Sequence, residues 1–204
     1  MTKDGSKTRG GHPTRARVEE INAALMTATI AAIVEFGIDF TIDQVAALAG
    51  VSKQAIYRRW QTRSEMVLHV LDAAVRQDVA ETRAGLPDDP LEALRYLAMR
   101  DFEKDGEKRF HVQAFIQVEA MRNPAVARQA MGWYDQGKAL VLEQLAALDR
   151  DGRRFPGDMN LQADLLLQMQ GGLATRLALD SVGETERKQA FARWWQLYCR
   201  TILA

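Results

Sequence analysis

The stretch Thr41-Ile42-Asp43-Gln44-Val45-Ala46-Ala47-Leu48-Ala49-Gly50-Val51-Ser52-Lys53-Gln54-Ala55-Ile56-Tyr57-Arg58-Arg59-Trp60 decides how this chain folds. Thr41 with Gln44 three residues later is a capping-box pattern, in which each side chain satisfies the other's free backbone N–H. It opens a helix that runs only to about Ala49. Gly50-Val51 makes a turn, Ser52 is a natural N-cap, and a second short helix is predicted over about Lys53–Arg59. Ala55 and Ile56 are placed to pack on Val45, Leu48 and a preceding helix, which leaves Lys53, Gln54, Tyr57, Arg58 and Arg59 facing outward. Two short helices around a Gly-containing turn form a helix-turn-helix. A generic amphipathic pair exposes both charge signs, whereas Val51–Ser64 holds four basic residues and no acid.

Working outward, Val18, Ile21, Leu25, Ala28 and Ala32 follow helical spacing in a first helix that Gly37 stops. Downstream, Thr62 and Glu65 form another capping box and open a long helix through Val67, Val70, Leu71 and Ala74 toward Arg83, closed by Gly85-Leu86-Pro87. Further helices are predicted at about 90–104, 107–122, 124–148 (Asn123 as cap, Pro124 in the first turn), 160–181 and 184–202. All five prolines fall where a helical pattern begins or has just ended, and no strand-like alternation appears. The expected fold class is all-α, with nine helices and no internal repeat.

The 204 residues carry 27 basic and 27 acidic side chains, so net charge points to no partner. The balance hides an asymmetry: residues 1–64 carry nine basic and six acidic side chains, a net +3, and the remaining 140 carry −3. A small basic module sits on a mildly acidic body. The single cysteine, Cys199, excludes a disulfide framework and a Cys-based zinc site and suits a reducing cytosol. Met1–Arg17 lacks the apolar core of a signal peptide, and the nearly apolar run Ala23–Val34 is expected to be too short to span a membrane. His12, His69 and His111 occur singly. Glu65/His69 and Glu107/His111 lie four apart, a spacing more often a surface contact than a metal site. No phosphate-binding glycine loop is present, since Gly171-Gly172 falls in mid-helix. No enzyme, cofactor or metal site is expected.

From Phe36-Gly37 through the quoted stretch to Arg63-Ser64-Glu65-Met66, the sequence resembles the N-terminal DNA-binding domain of the TetR (tetracycline-repressor) family of bacterial transcriptional regulators. The resemblance covers about Arg15–Leu71. Trp60 stands where Phe is usual and Arg63 where Lys is usual, both in character. Asp43 stands where some relatives place a basic residue on DNA, and is expected to favour the positive end of its helix. The resemblance implies base readers at Lys53, Gln54 and Arg58, phosphate contacts at Tyr57, Arg59 and Arg63, and help from Thr41, Gln44 and Ser52 at the two helix starts. It also implies an architecture of a flexible basic tail (1–14), a helix-turn-helix domain (15–65) and a ligand-binding and dimerisation domain (66–204). The tail, through Arg9 and Arg15, is a candidate for the minor groove.

In the body, aromatic, Met and polar residues gather on the middle helices: Tyr96, Met99, Phe102, Phe110, His111, Phe115, Gln117, Met121, Trp133, Tyr134, Gln168 and Met169. They are candidate pocket residues for a small, mostly apolar effector, with core packing as the competing reading. Leu165, Met169, Gly172, Arg176 and Leu179 follow one face of the eighth helix, and Phe191, Trp195, Tyr198 and Ile202 one face of the ninth. Mid-helix Gly171-Gly172 points to close approach of another helix. The resemblance assigns these faces to a homodimer interface, and an intramolecular core gives the same spacing. The function expected is that of a cytoplasmic, nucleoid-associated homodimer on double-stranded DNA with an inverted-repeat operator, a repressor released by its effector, with no membrane partner. Two other classes stay open: a non-specific, nucleoid-type DNA-binding protein, and an all-α small-molecule-binding protein without operator function.

Overall fold

The computed structural model describes residues 15–152 and 158–201. Among these it has nine α-helices and no strand: α1 (Arg15–Phe36), α2 (Ile42–Ala49), α3 (Lys53–Tyr57), α4 (Arg63–Ala84), α5 (Pro90–Met99), α6 (Gly106–Arg122), α7 (Pro124–Arg150), α8 (Met159–Leu179) and α9 (Glu184–Thr201). Arg9 and Ile202 lie outside the described residues.

Local chemistry sets most boundaries. Thr41 and Gln44 make the reciprocal capping box at α2. Gly50 ends α2 in the left-handed region at φ +64, donating its N–H to Ala46 and Ala47, a backbone conformation that glycine adopts without steric cost. Ser52, Thr62, Asp89, Asn123 and Asp158 cap α3, α4, α5, α7 and α8 with their side chains. The second capping box is displaced by one residue, because Glu65 accepts from the Gln61 N–H at 2.7 Å. The expected helix 90–104 ends at Met99 and passes through a 3₁₀ turn, Arg100–Phe102. There Gly106, which starts α6, lies so close to Asp101 that a Cβ would collide with the Asp101 carbonyl.

Two hydrophobic cores result. The first joins α1 to α4 through Leu25, Ile33, Val45, Ile56, Met66 and Leu71, and reaches Phe115 of α6 and Trp133 of α7. The second joins α5, α7, α8 and α9 through Leu94, Phe102, Leu145, Leu166, Phe191 and Tyr198. Phe191, Trp195 and Tyr198, assigned in the sequence to a dimer face, are 1%, 8% and 1% exposed in this second core, where Tyr198 stacks with Trp194 and Trp195, and Phe191 packs at a tilt against Phe102 and Trp194. These three residues of the α9 stripe thus pack within the chain. The α8 stripe behaves differently: Leu165 is half-buried, whereas Gly172, Arg176 and Leu179 are exposed. Among the described residues, nothing beyond the helix's own neighbouring backbone comes within 4 Å of a Cβ built at Gly171 or Gly172, so no close helix approach is made there among them.

The apolar stretch is longer than the run Ala23–Val34 suggests. Val18–Asp39 has mean hydropathy 1.7 and is long and apolar enough, by length and composition, to cross a membrane. Its inner face, Leu25, Ala28, Ala32 and Ile33, forms part of the first core.

Candidate nucleic-acid interface

Helix α3 has only five residues and owes its position to tertiary packing. Ile56, 1% exposed, plugs it into the first core, and the Ser52 hydroxyl accepts from the Ala55 N–H at 3.1 Å. Anchored on that side, α3 exposes Lys53, Gln54, Tyr57 and Arg58 together, a mixture of cation, amide and phenol suited to base edges and phosphates. Leu48, expected to support α3 from α2, is instead 49% exposed.

The cations of this region are not equivalent. Lys53 Nζ lies 2.8 Å from Asp43 Oδ2, and that hydrogen bond holds its ammonium above the usual lysine pKa. Asp43 therefore clamps Lys53 in addition to standing at the start of α2. Arg59 donates to the Asn22 side chain of α1 at 3.1 Å, while Arg58 extends from the end of α3 into solvent. Thr41 and Gln44 spend their side chains on each other at 2.7–3.3 Å.

Arg63 departs furthest from expectation. Instead of extending toward a phosphate, its guanidinium donates to the Phe40 carbonyl at 3.1 Å, the Ile38 carbonyl at 2.8 Å and Glu119 of α6 at 3.0 Å. It lies 4.0 Å over the Phe40 ring, a cation–π contact. Arg63 is thus a joint between the helix-turn-helix, α4 and α6. Glu119 is 56 positions away, too far for any sequence spacing to announce the pair.

The expected pocket residues are dispersed. Phe102, Phe115 and Trp133 are 0%, 4% and 6% exposed in the two cores, and Trp133 donates to Asp72 at 3.0 Å. Tyr134 donates to Asp164 at 2.9 Å. His111 Nδ1 lies 2.8 Å from the Glu107 carbonyl, with the Phe110 ring beside it. Tyr96 and Met99 are half-buried, Gln117 and Gln168 are exposed, and Met121 and Met169 are 80% and 42% exposed. A cavity of about 460 Å³ opens elsewhere, between α1, α4, α6 and the Asp101–Asp105 turn, and none of these residues lines it.

Residues 25–70 match the family described as bacterial regulatory proteins, tetR family. An uncharacterized HTH-type transcriptional regulator of Mycobacterium tuberculosis (strain ATCC 25618 / H37Rv) is 35% identical over 119 residues, 57% of each chain. The match thus spans little more than half of that relative's length. The DNA-binding transcriptional repressor TetR of Mycobacteroides abscessus is 44% identical over 59 residues, 28% of this chain and 31% of that one. Two solved structures share the fold at low identity. A TetR transcription regulator from Haloarcula marismortui superposes with a TM-score of 0.77 at 19% identity, over 91% of this chain and 100% of that one. A transcriptional regulator from Saccharomonospora viridis, in complex with choline, gives 0.78 at 17% identity, over 91% and 99%. With the helix-turn-helix, the match over its residues and the likeness in fold on the page, residues 25–70 are similar to the tetR family of bacterial regulatory proteins, and the chain shares its fold with solved TetR regulators.

Proposed function

We propose that the chain is a ligand-responsive, homodimeric transcriptional repressor that binds an inverted-repeat operator. One observation carries the reading: Lys53, Gln54, Tyr57 and Arg58 are exposed together on a short helix anchored by Ile56. A two-fold dimer presents two such helices, so its half-sites lie about one DNA turn, roughly 34–36 Å, apart. The dimer contact is assigned to α8, where Leu161, Met169 and Leu179 are 50%, 42% and 71% exposed along the face that carries the open Gly172. The choline-bound neighbour supports a small-molecule effector, and the mycobacterial repressor supports the sign of regulation.

Selection of bound sequences from random DNA tests this reading. An inverted repeat bound by a dimer is expected, with Leu179→Asp giving monomers and loss of operator binding. Equal affinity for selected and scrambled DNA would establish the non-specific, nucleoid-type alternative instead.

A further inference from the structure

The cavity between α1, α4 and α6 has two unlike walls. One is apolar, made by Ile30 of α1, Leu71 and Val75 of α4, and Val112 and Ile116 of α6. The other carries four carboxylates, Asp78, Glu81, Asp101 and Asp105, against two cations, Lys108 and Arg109.

The distribution of hydrogen bonds matters more than the count. Arg100 donates twice to Asp78, at 3.1 and 2.7 Å, and Arg109 donates to the same carboxylate at 2.8 Å. Burial pushes the Asp78 carboxyl up, but these bonds outweigh it and hold it below the usual range. One carboxylate therefore consumes two guanidiniums. Among the described residues no ion pair joins Glu81, Asp101 or Asp105 to a cation. Glu81 accepts from the Gln77 amide at 2.7 Å, and Asp101 has the amide of Gln170. Burial lifts the Asp101 carboxyl above its ordinary pKa, with Arg109 only partly opposing. A desolvated carboxylate paired with an amide gains strongly from an incoming cation.

We infer that this cavity is the effector site and that its ligand is a cationic amphiphile, an ammonium group on an apolar body. The ammonium lies at Asp101 and Asp105, and the body lies along Ile30, Val75 and Ile116. A carboxylate on the same body meets the acidic wall and is disfavoured by like charge. The occupant touches α1 and α4 at once, and both also build the core that holds Ile56 of α3. It therefore bears on α3 through α1 and α4. That consequence rests on the regulator reading above, whereas the binding step does not.

The test titrates decylammonium, decanol and decanoate, each below its micelle concentration, into the full-chain protein by calorimetry without DNA. Decylammonium is expected to bind about tenfold or more tighter than decanoate, and Asp101→Asn to weaken it about tenfold. Ala74→Trp, which fills the cavity from α4, is expected to abolish binding. Asp105→Asn, at an exposed position, gives a smaller loss and serves if the other variants melt early. Absent decylammonium binding, equal affinity for decanoate, or binding untouched by both Ala74→Trp and Asp105→Asn would overturn the inference. Decylammonium that binds as expected but leaves operator affinity unchanged upholds the binding site and its ligand chemistry and overturns its assignment as the effector site.

Discussion

The outward face of α3 and the stripe on α9 are equally regular in sequence, yet the first meets solvent and the second is buried. Gln54, Tyr57 and Arg58 are polar or charged, and a short helix anchored by Ile56 has only solvent to offer them. Phe191, Trp195 and Tyr198 are apolar, and an apolar stripe states only that something covers it. Here the cover is Phe102 and Trp194 of the same chain. Helix α8 completes the lesson, since its Met169 and Leu179 are of the same character and remain uncovered. Polarity says which face calls for a cover, and tertiary geometry decides whether this chain supplies it.

The comparison breaks first at the buried ring. Phe102 is fully buried with its ring tilted against Phe191 at 5.1 Å, so Phe102→Ala is expected to cost about 3–5 kcal/mol in chemical denaturation. A cost below 1 kcal/mol, with a lost ligand response, would return Phe102 to the pocket. Next come the two arginines that flank the end of the motif. Arg63→Ala strands two backbone carbonyls and Glu119 and is expected to cost about 2–4 kcal/mol of stability. Arg58→Ala is expected to leave the melting temperature unchanged and to cost about 1–3 kcal/mol of binding on the selected operator, with little change on random DNA. If Arg63→Ala leaves stability intact and weakens all DNA alike, it is a phosphate contact after all.

Smaller effects sharpen the contrast within the motif. Gly50→Ala places a Cβ in the left-handed region at φ +64, where open space does not relieve the strain. About 1 kcal/mol of stability should be lost, measurable as a shift in denaturant midpoint. Asp43→Asn releases Lys53 from its 2.8 Å ion pair. Thermal stability should not change measurably, while DNA affinity rises and its salt dependence steepens. An unchanged salt slope would mean that Lys53 stays off the DNA.

What could be read from the sequence follows from range. The Thr41–Gln44 box, Gly50 and the Ser52 cap are interactions within four residues, and each stands where the pattern placed it. The nine helices among the described residues follow from the same local rules, and of the five side chains expected outward on α3 four are exposed, while Arg59 turns to Asn22. The features that had to wait for the structure join distant positions. Arg63 finds Glu119 across 56 residues, and Asp78 gathers Arg100 and Arg109 across 22 and 31. The break after Met99 belongs with these, because the turn there delivers Arg100 to α4. The cavity is equally non-local, its walls coming from α1, α4 and α6, whereas the aromatic residues that looked like a pocket fill cores.

The first core crosses the line that sequence alone would draw after the helix-turn-helix, since it includes Phe115 of α6 and Trp133 of α7. Phe40, at the threshold of α2, lies 5.7 Å from the Phe115 ring and beneath the Arg63 guanidinium. A fragment ending near residue 71 would lose that ring and Glu119 together, exposing apolar surface at the base of α2. The helix-turn-helix is therefore expected to melt together with α6 in one transition, and a graft onto a foreign sensor is expected to stay folded only when α6 is carried along.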